Sequence, residues 1–241
     1  MNTIIEVSET VYFSYTKESK YIYCIPSGLT IFLGEICSIS GISGSGKSTI
    51  LTLLASLRRF MRGNIIYRFS SYEDREVVVN QKSWSQNVGP DFWGNIGFSF
   101  QKPELIRALP VKMNLELALG DKTEEMALAL FEPDEWAAIK HSRTWKISGG
   151  QIQRLGIIRA FGQNQNLVFM DEPTNNLDRD NREKVVNFID VYGKNKAIIL
   201  VSHDRLFLDM LNIGSTFEVH EEKAEHNYVR RVLRQVDFNR R

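Results

Sequence analysis

The sequence is short of cysteine, of long apolar runs and of charge of one sign, and each shortage removes a class of answers. Its two cysteines, Cys24 and Cys37, have no metal-binding spacing and read as small buried thiols in a reducing compartment. Its uninterrupted apolar stretches are only a few residues long, far from the roughly 18–20 that cross a bilayer. The opening MNTIIEVSET lacks the charged-then-apolar pattern of a secretion signal, so the chain is expected to be soluble. A net charge of +1 over 241 residues supplies no field to draw it to nucleic acid or acidic membrane, and no nucleic-acid partner is expected. Repeats and low-complexity segments are missing too. What remains, 43% of it hydrophobic, is enough for one large domain or two small lobes around a sizeable core.

The pattern opens with short β-prone runs at 4–7, 11–15 and 28–32, then the strand Ile36–Ser40. Apolar residues at 50, 51, 53, 54 and 57 predict a helix over 48–57. Residues 63–79 read as strands with a polar turn at 70–75, and 80–94 as a loop around Trp84, Phe92 and Trp93 broken by Gly89-Pro90. Residues 95–101 alternate like a strand, and from 102 to about 146 the pattern is helical. Strand-like runs return at 167–170 and 197–201, with helices before and between them. Strands alternating with helices imply a mainly parallel sheet, and the helical insert a second lobe. The charged tail from Glu221 to Arg241 reads as a solvated helix with a frayed end.

Directly after the strand 36–40 comes Gly41-Ile42-Ser43-Gly44-Ser45-Gly46-Lys47-Ser48-Thr49, which fits G-x-x-x-x-G-K-[ST]. The glycines let the backbone curl so that successive N–H groups point inward, and the next helix begins at once with its partial positive charge. Lys47 supplies a full charge to the β- and γ-phosphates of a nucleotide, and the Ser48 hydroxyl is an oxygen ligand suited to Mg²⁺. At the end of the apolar run 167–170 stand Asp171 and Glu172. Neighbours on a strand face opposite ways, so Asp171 is placed to hold Mg²⁺ and Glu172 to act on an attacking water.

A second glycine cluster, Ser148-Gly149-Gly150-Gln151, precedes a helix with apolar residues at 152, 155, 157, 158 and 161. It is another phosphate-binding helix start, and one nucleotide does not need two. The economical answer is that it serves the nucleotide of another subunit.

These motifs, in this order, strongly resemble the ATP-binding-cassette (ABC) ATPase domain over roughly residues 4–220. Ser148-Gly149-Gly150-Gln151, followed by Gln153-Arg154 and Arg159-Ala160, matches the family signature, and Asp171-Glu172-Pro173-Thr174 its acidic motif. The resemblance implies an α/β P-loop NTPase fold, with a mainly parallel sheet core, an antiparallel β subdomain and a helical subdomain. Residues 1–241 then form one domain: a catalytic lobe at about 1–101 and 147–220, a helical lobe at about 102–146 and a tail at 221–241. It further implies that Gln101 is the glutamine-loop residue near Mg²⁺, that His203 is the switch histidine and that Asp178 acts across a dimer interface. Tyr15 is the best-placed aromatic to stack on adenine, with Tyr12 and Phe13 as alternatives.

Family members work as pairs, so the expected partners are a second copy or a related ABC subunit, and transmembrane permease subunits. These would hold the chain in the cytoplasm at the inner face of the cell membrane. The run 96–101 with Leu109-Pro110 and Leu115-Glu116-Leu117 looks like the branch containing lipoprotein-release, macrolide-export and cell-division ATPases. The alternative is a non-transport ABC ATPase regulating a membrane complex such as a cell-wall remodelling assembly. A DNA- or ribosome-acting relative would usually carry a coiled coil or a second cassette, and neither is seen here. Two features depart from the family: the helical lobe looks short, and 80–94 matches no familiar pattern.

Overall fold

The strands β8 (Leu167–Asp171) and β9 (Ala197–Val201) are buried at every residue, as continuous apolar runs in a sheet covered on both faces should be. This is seen in a computed structural model that describes residues 2–16, 18–69, 76–162, 164–223 and 228–237. Alternate residues of the two strands go to opposite cores. Leu167, Phe169, Ala197, Ile199 and Val201 join one cluster with Ile50, Leu51 and Leu54 of α1 (Lys47–Leu54). Val168, Met170, Ile198 and Leu200 join the other with α7 (Gly149–Ala160) and α8 (Arg179–Tyr192). The strands β4 (Ile36–Ser40), β9, β8 and β7 (Ile96–Ser99) are neighbours in that order and all parallel. Their C-terminal ends therefore share one edge, where the segments that follow them meet.

The other half of the sheet is antiparallel. β1 (Thr3–Phe13) pairs with β2 (Tyr21–Ile25), β3 (Thr30–Phe32) and β5 (Arg62–Arg68), and β5 with β6 (Glu76–Asn80). The two runs expected at 4–7 and 11–15 are one strand, which shifts register against β5 between Val7 and Glu9 and again before Tyr12, as bulges allow. The turn expected at 70–75 lies outside the described residues.

The C-terminal tail corrects the sequence-based expectation. It is not a solvated helix: β10 (Ser215–Lys223) and β11 (Val229–Val236) form an antiparallel hairpin. β10 lies parallel beside β4 and β11 parallel beside β2, so the hairpin joins the two halves into one sheet. Val219 and Leu233 enter the core. Along β10 the burial runs Phe217 in, Glu218 half-out, Val219 in, a period of two that the density of charges hid. Residues Asn239–Arg241 lie outside the described residues.

Residues 80–94 are also not an open loop. They form two short helices, α2 (Trp84–Asn87) and α3 (Pro90–Gly94), the latter with proline in its first turn. Phe92 is buried edge-on to Tyr67 and Phe69, and the Trp84 indole N–H donates to the Ser56 carbonyl at 3.1 Å. The aromatics are packing groups here. The helical region follows its pattern, with α4 (Val111–Leu119), α5 (Thr123–Leu128) and α6 (Pro133–Ile139). Residues 102–110 are irregular, held by Asn114, whose amide accepts from Ile106 N at 2.6 Å and donates to Pro110 O at 3.0 Å. Val111, Leu115 and Trp136 share the cluster of Val168 and Met170. A last short helix, α9 (Arg205–Met210), follows β9. Cys24 and Cys37 are free and buried, and burial pushes the Cys24 thiol up to about 11. Among the described residues no helix is long and apolar enough to cross a membrane.

Candidate active site

A cleft of about 560 Å³ opens on the shared strand edge, and Lys47, Ser48, Gln101, Glu172 and His203 all line it. They come from the segments after four parallel strands, Lys47 and Ser48 after β4, Gln101 after β7, Glu172 after β8 and His203 after β9, so the register of the sheet, not sequence proximity, assembles the site. The loop from Gly41 to Gly46 needs its glycines. Gly41, Gly44 and Gly46 have φ of 144°, 75° and 93°, angles that L side chains rarely adopt. A Cβ on Gly46 would lie 2.2 Å from Cε1 of Tyr23. Ile42 and Ser43 at the loop tip are exposed, while Ser45 is buried and its hydroxyl has no protein partner. Lys47 Nζ donates to the carbonyls of Gly41 and Ile42 at 3.0 Å each, which holds the ammonium over the cleft. Burial lowers its pKa, against the pull of Glu172 and Asp171.

Ser48 Oγ donates to Asp171 Oδ1 at 3.0 Å. With Gln101, exposed in the cleft, they form an all-oxygen set of the hard kind that suits Mg²⁺. No group of three or more His, Cys, Asp or Glu able to hold a metal occurs among the described residues.

Glu172 is the most constrained residue of the site. Its φ is 49°, a left-handed conformation that costs a non-glycine residue about 1–2 kcal/mol. Four hydrogen bonds impose it. Its N–H donates to Val201 O at 2.8 Å, and its carbonyl accepts from Asn175 N at 3.1 Å and from Gln153 Nε2 at 3.3 Å. Its Oε2 accepts from His203 N at 3.1 Å. His203 Nε2 stands 3.5 Å from Oε1. Burial holds the Glu172 carboxyl above its ordinary range, partly offset by the His203 N–H.

Burial likewise raises the Asp171 carboxyl, offset by Ser48 and Lys47. An acid that binds its proton more tightly folded than unfolded costs stability wherever it is ionised, and the cost is relieved as pH falls through the folded pKa. At neutral pH the nucleotide-free chain therefore carries this cost. Asp171→Asn, which cannot carry that charge, is expected to raise its melting temperature, while removing hydrolysis. Calorimetry at pH 5 and pH 8 checks the sign: the gain should shrink at the lower pH.

The remaining expected residues lie elsewhere. Ser148 caps α7 in a capping box: its Oγ accepts from Gln151 N at 3.2 Å, and its N–H donates to Gln151 Oε1 at 2.9 Å. Ser148 and Gly149 are exposed, and none of residues 148–151 lines the cleft. Asp178 caps α8, accepting from Asn181 N at 2.8 Å. Tyr15 is exposed beside the loop, with its hydroxyl 2.8 Å from Thr49 Oγ1; Phe13 is buried. Sequence reasoning missed Tyr23, Asn175 and Arg231 as cleft residues and Gln153 as the brace of Glu172. Gln153 stood inside the matched signature without a role and Asn175 directly after the acidic motif, whereas nothing in the charged tail singled out Arg231.

The ABC transporter family profile matches residues 26–175. An uncharacterized ABC transporter ATP-binding protein, YvcR of Bacillus subtilis, is 34% identical over 187 residues, 73% of this chain and 68% of that one. The lipoprotein-releasing system ATP-binding protein LolD of Treponema denticola is 33% identical over 192 residues, 75% of this chain and 80% of its own. The chain spans only 26% of a larger relative, a pyoverdine export ATP-binding/permease protein of Pseudomonas aeruginosa. Among solved structures, a dimeric bacterial ABC transporter cassette superposes with a TM-score of 0.68 at 25% identity, covering 89% of this chain and 94% of that one. With the phosphate loop, acidic strand end and signature helix in place on this fold, the chain belongs to the ABC transporter family, as an ATP-binding cassette and ATPase.

Proposed function

We propose that two copies of this chain, or this chain and a related subunit, close around two Mg-ATP and that hydrolysis moves transmembrane permease subunits at the inner face of the membrane. The observation that carries this reading is the exposure of Ser148 and Gly149 outside their own cleft. A helix start with free N–H groups and a hydroxyl is an anion site looking for an anion. The Ser148 oxygen already accepts from Gln151 N, so its proton is left to donate to phosphate. Tyr15 stacks on the base, a contact of about 1–3 kcal/mol for base–aromatic stacking in general. Asp178, exposed at the start of α8, faces the partner.

Within one copy the chemistry needs no covalent intermediate. Lys47 and the loop N–H groups neutralise the leaving phosphates, Glu172 orients and deprotonates the water, and His203 stays within reach of both Glu172 and the terminal phosphate. Ser48, Asp171 and Gln101 would hold a Mg²⁺, which would supply further charge neutralisation to the triphosphate.

Ser148→Arg tests the two-chain arrangement. The isolated variant is expected to bind ATP as tightly as the wild type by calorimetry, and to remain monomeric by light scattering where the parent dimerises with ATP. Loss of ATP binding by the monomer would mean that the signature acts on its own cleft.

A further inference from the structure

Arg231 and Tyr23 line the same cleft as Lys47, Glu172 and His203, although no nucleotide-binding motif reaches them. Strand register brings them there. β10 pairs with β4 only as far as Glu218↔Ser40 yet continues to Lys223, so the hairpin overruns the edge where the phosphate loop begins. A Cβ on Gly41 would lie 3.3 Å from Val219 O, the first residue of this overhang. The facing pair Glu221↔Arg231 comes next, and β11 sets Arg231 opposite Tyr23 of β2.

Once there, the guanidinium is fixed from three directions. Its Cζ is 3.7 Å from the Tyr21 ring centroid. Nη1 donates to the Tyr23 hydroxyl at 3.1 Å, and Nε to Glu221 Oε1 at 3.0 Å. Arg231 is only 8% exposed. An arginine held in this way loses little further freedom on meeting an anion. Tyr23, its partner, touches the phosphate loop at Gly46.

The sheet order decides which end of the nucleotide it meets. Glu172 and His203 arrive from β8 and β9 on one side of β4, whereas Tyr23 and Arg231 arrive from β2 and β11 on the other. We infer that Arg231 is a nucleotide-contacting residue, a second fixed cation of the cleft that binds the α-phosphate end common to ATP and ADP. The inference rests on the cleft being the nucleotide site.

Calorimetric titration of the full chain tests it, using Mg-ADP, and Mg-ATP in a Glu172→Gln background. Arg231→Gln is expected to weaken both nucleotides by the same factor, about tenfold, as loss of one charge-assisted contact should. Unchanged affinity for both, or a loss confined to ATP, overturns the proposal. Glu221→Gln decides the matter if Arg231→Gln does not fold. With its carboxylate neighbour neutralised, Arg231 should bind either nucleotide at least as tightly. A tenfold loss of affinity for both nucleotides in Glu221→Gln would mean that the pair only braces the hairpin, and would overturn the proposal. Lys47→Ala serves as the control for the cleft itself: if it leaves both affinities intact, the location of the nucleotide is wrong, whatever Arg231 does.

Discussion

Glu172→Gln is expected to slow ATP hydrolysis by about 10²–10⁴-fold, the usual worth of a positioned general base, while leaving ATP affinity near that of the wild type. The substitution keeps the shape and removes only the basicity. The hydrogen bonds that hold residue 172 at positive φ are made by backbone groups of Val201 and Asn175 and by Gln153, none of which depends on the carboxylate. The His203 N–H can still find the amide oxygen in place of Oε2. Binding is expected to survive because, in the proposed arrangement, the loop and Lys47 that grip the phosphates follow a different strand. The wild-type rate should fall on the acid side with an apparent pKa above the ordinary glutamate value, in the direction that burial imposes. Steady-state rates between pH 5 and pH 9, beside a nucleotide titration, read both effects. A variant that hydrolyses ATP at the wild-type rate would remove Glu172 from the chemistry.

The largest expected effect on stability belongs to a residue that touches no ligand. Gly97→Ala should lower the melting temperature by roughly 6–12 °C, from ~3 kcal/mol in a chain of this size. A Cβ at 97 would stand 1.7 Å from the carbonyl oxygen of Ala160 and 2.7 Å from its carbon. These are backbone atoms of the last residue of α7, so no side-chain rotation relieves the clash. Strand or helix must move. β7 precedes Gln101 and α7 carries the signature at its other end, so a shift between them would also disturb the site. Thermal unfolding with and without ATP separates the two consequences. A melting temperature within 2 °C of the parent's would show that the packing has slack there.

The site was legible in the sequence wherever chemistry demanded a residue type at a fixed spacing. The phosphate loop, Asp171 and Glu172 each follow an apolar strand, and the structure brings Lys47, Ser48, Gln101, Glu172 and His203 to one cleft. The helices of the 102–146 region were legible from composition. What escaped was set by tertiary context. The segment around Phe92 and Trp84 read as a loop because its other residues are polar, and the packing of the two rings depends on Tyr67, Phe69 and Ser56 from distant segments. β10 and β11 were hidden by ion pairs. Glu221 pairs with Arg231 directly opposite it, and Glu222 with Arg234 further along the other strand, and in one dimension such residues read as a solvated charged stretch. Cross-strand complementarity shows itself only when the partner strand is known.

That hairpin has a consequence for how the chain is made. β2 and β4 are synthesised well before the strands that pair with their inner edges, β11 and β10. Until then the nascent chain carries two facing strand edges with unmet hydrogen bonds, the kind of surface on which other chains aggregate. Final closure of the sheet, and with it the delivery of Arg231, must wait until β10 and β11 have been synthesised.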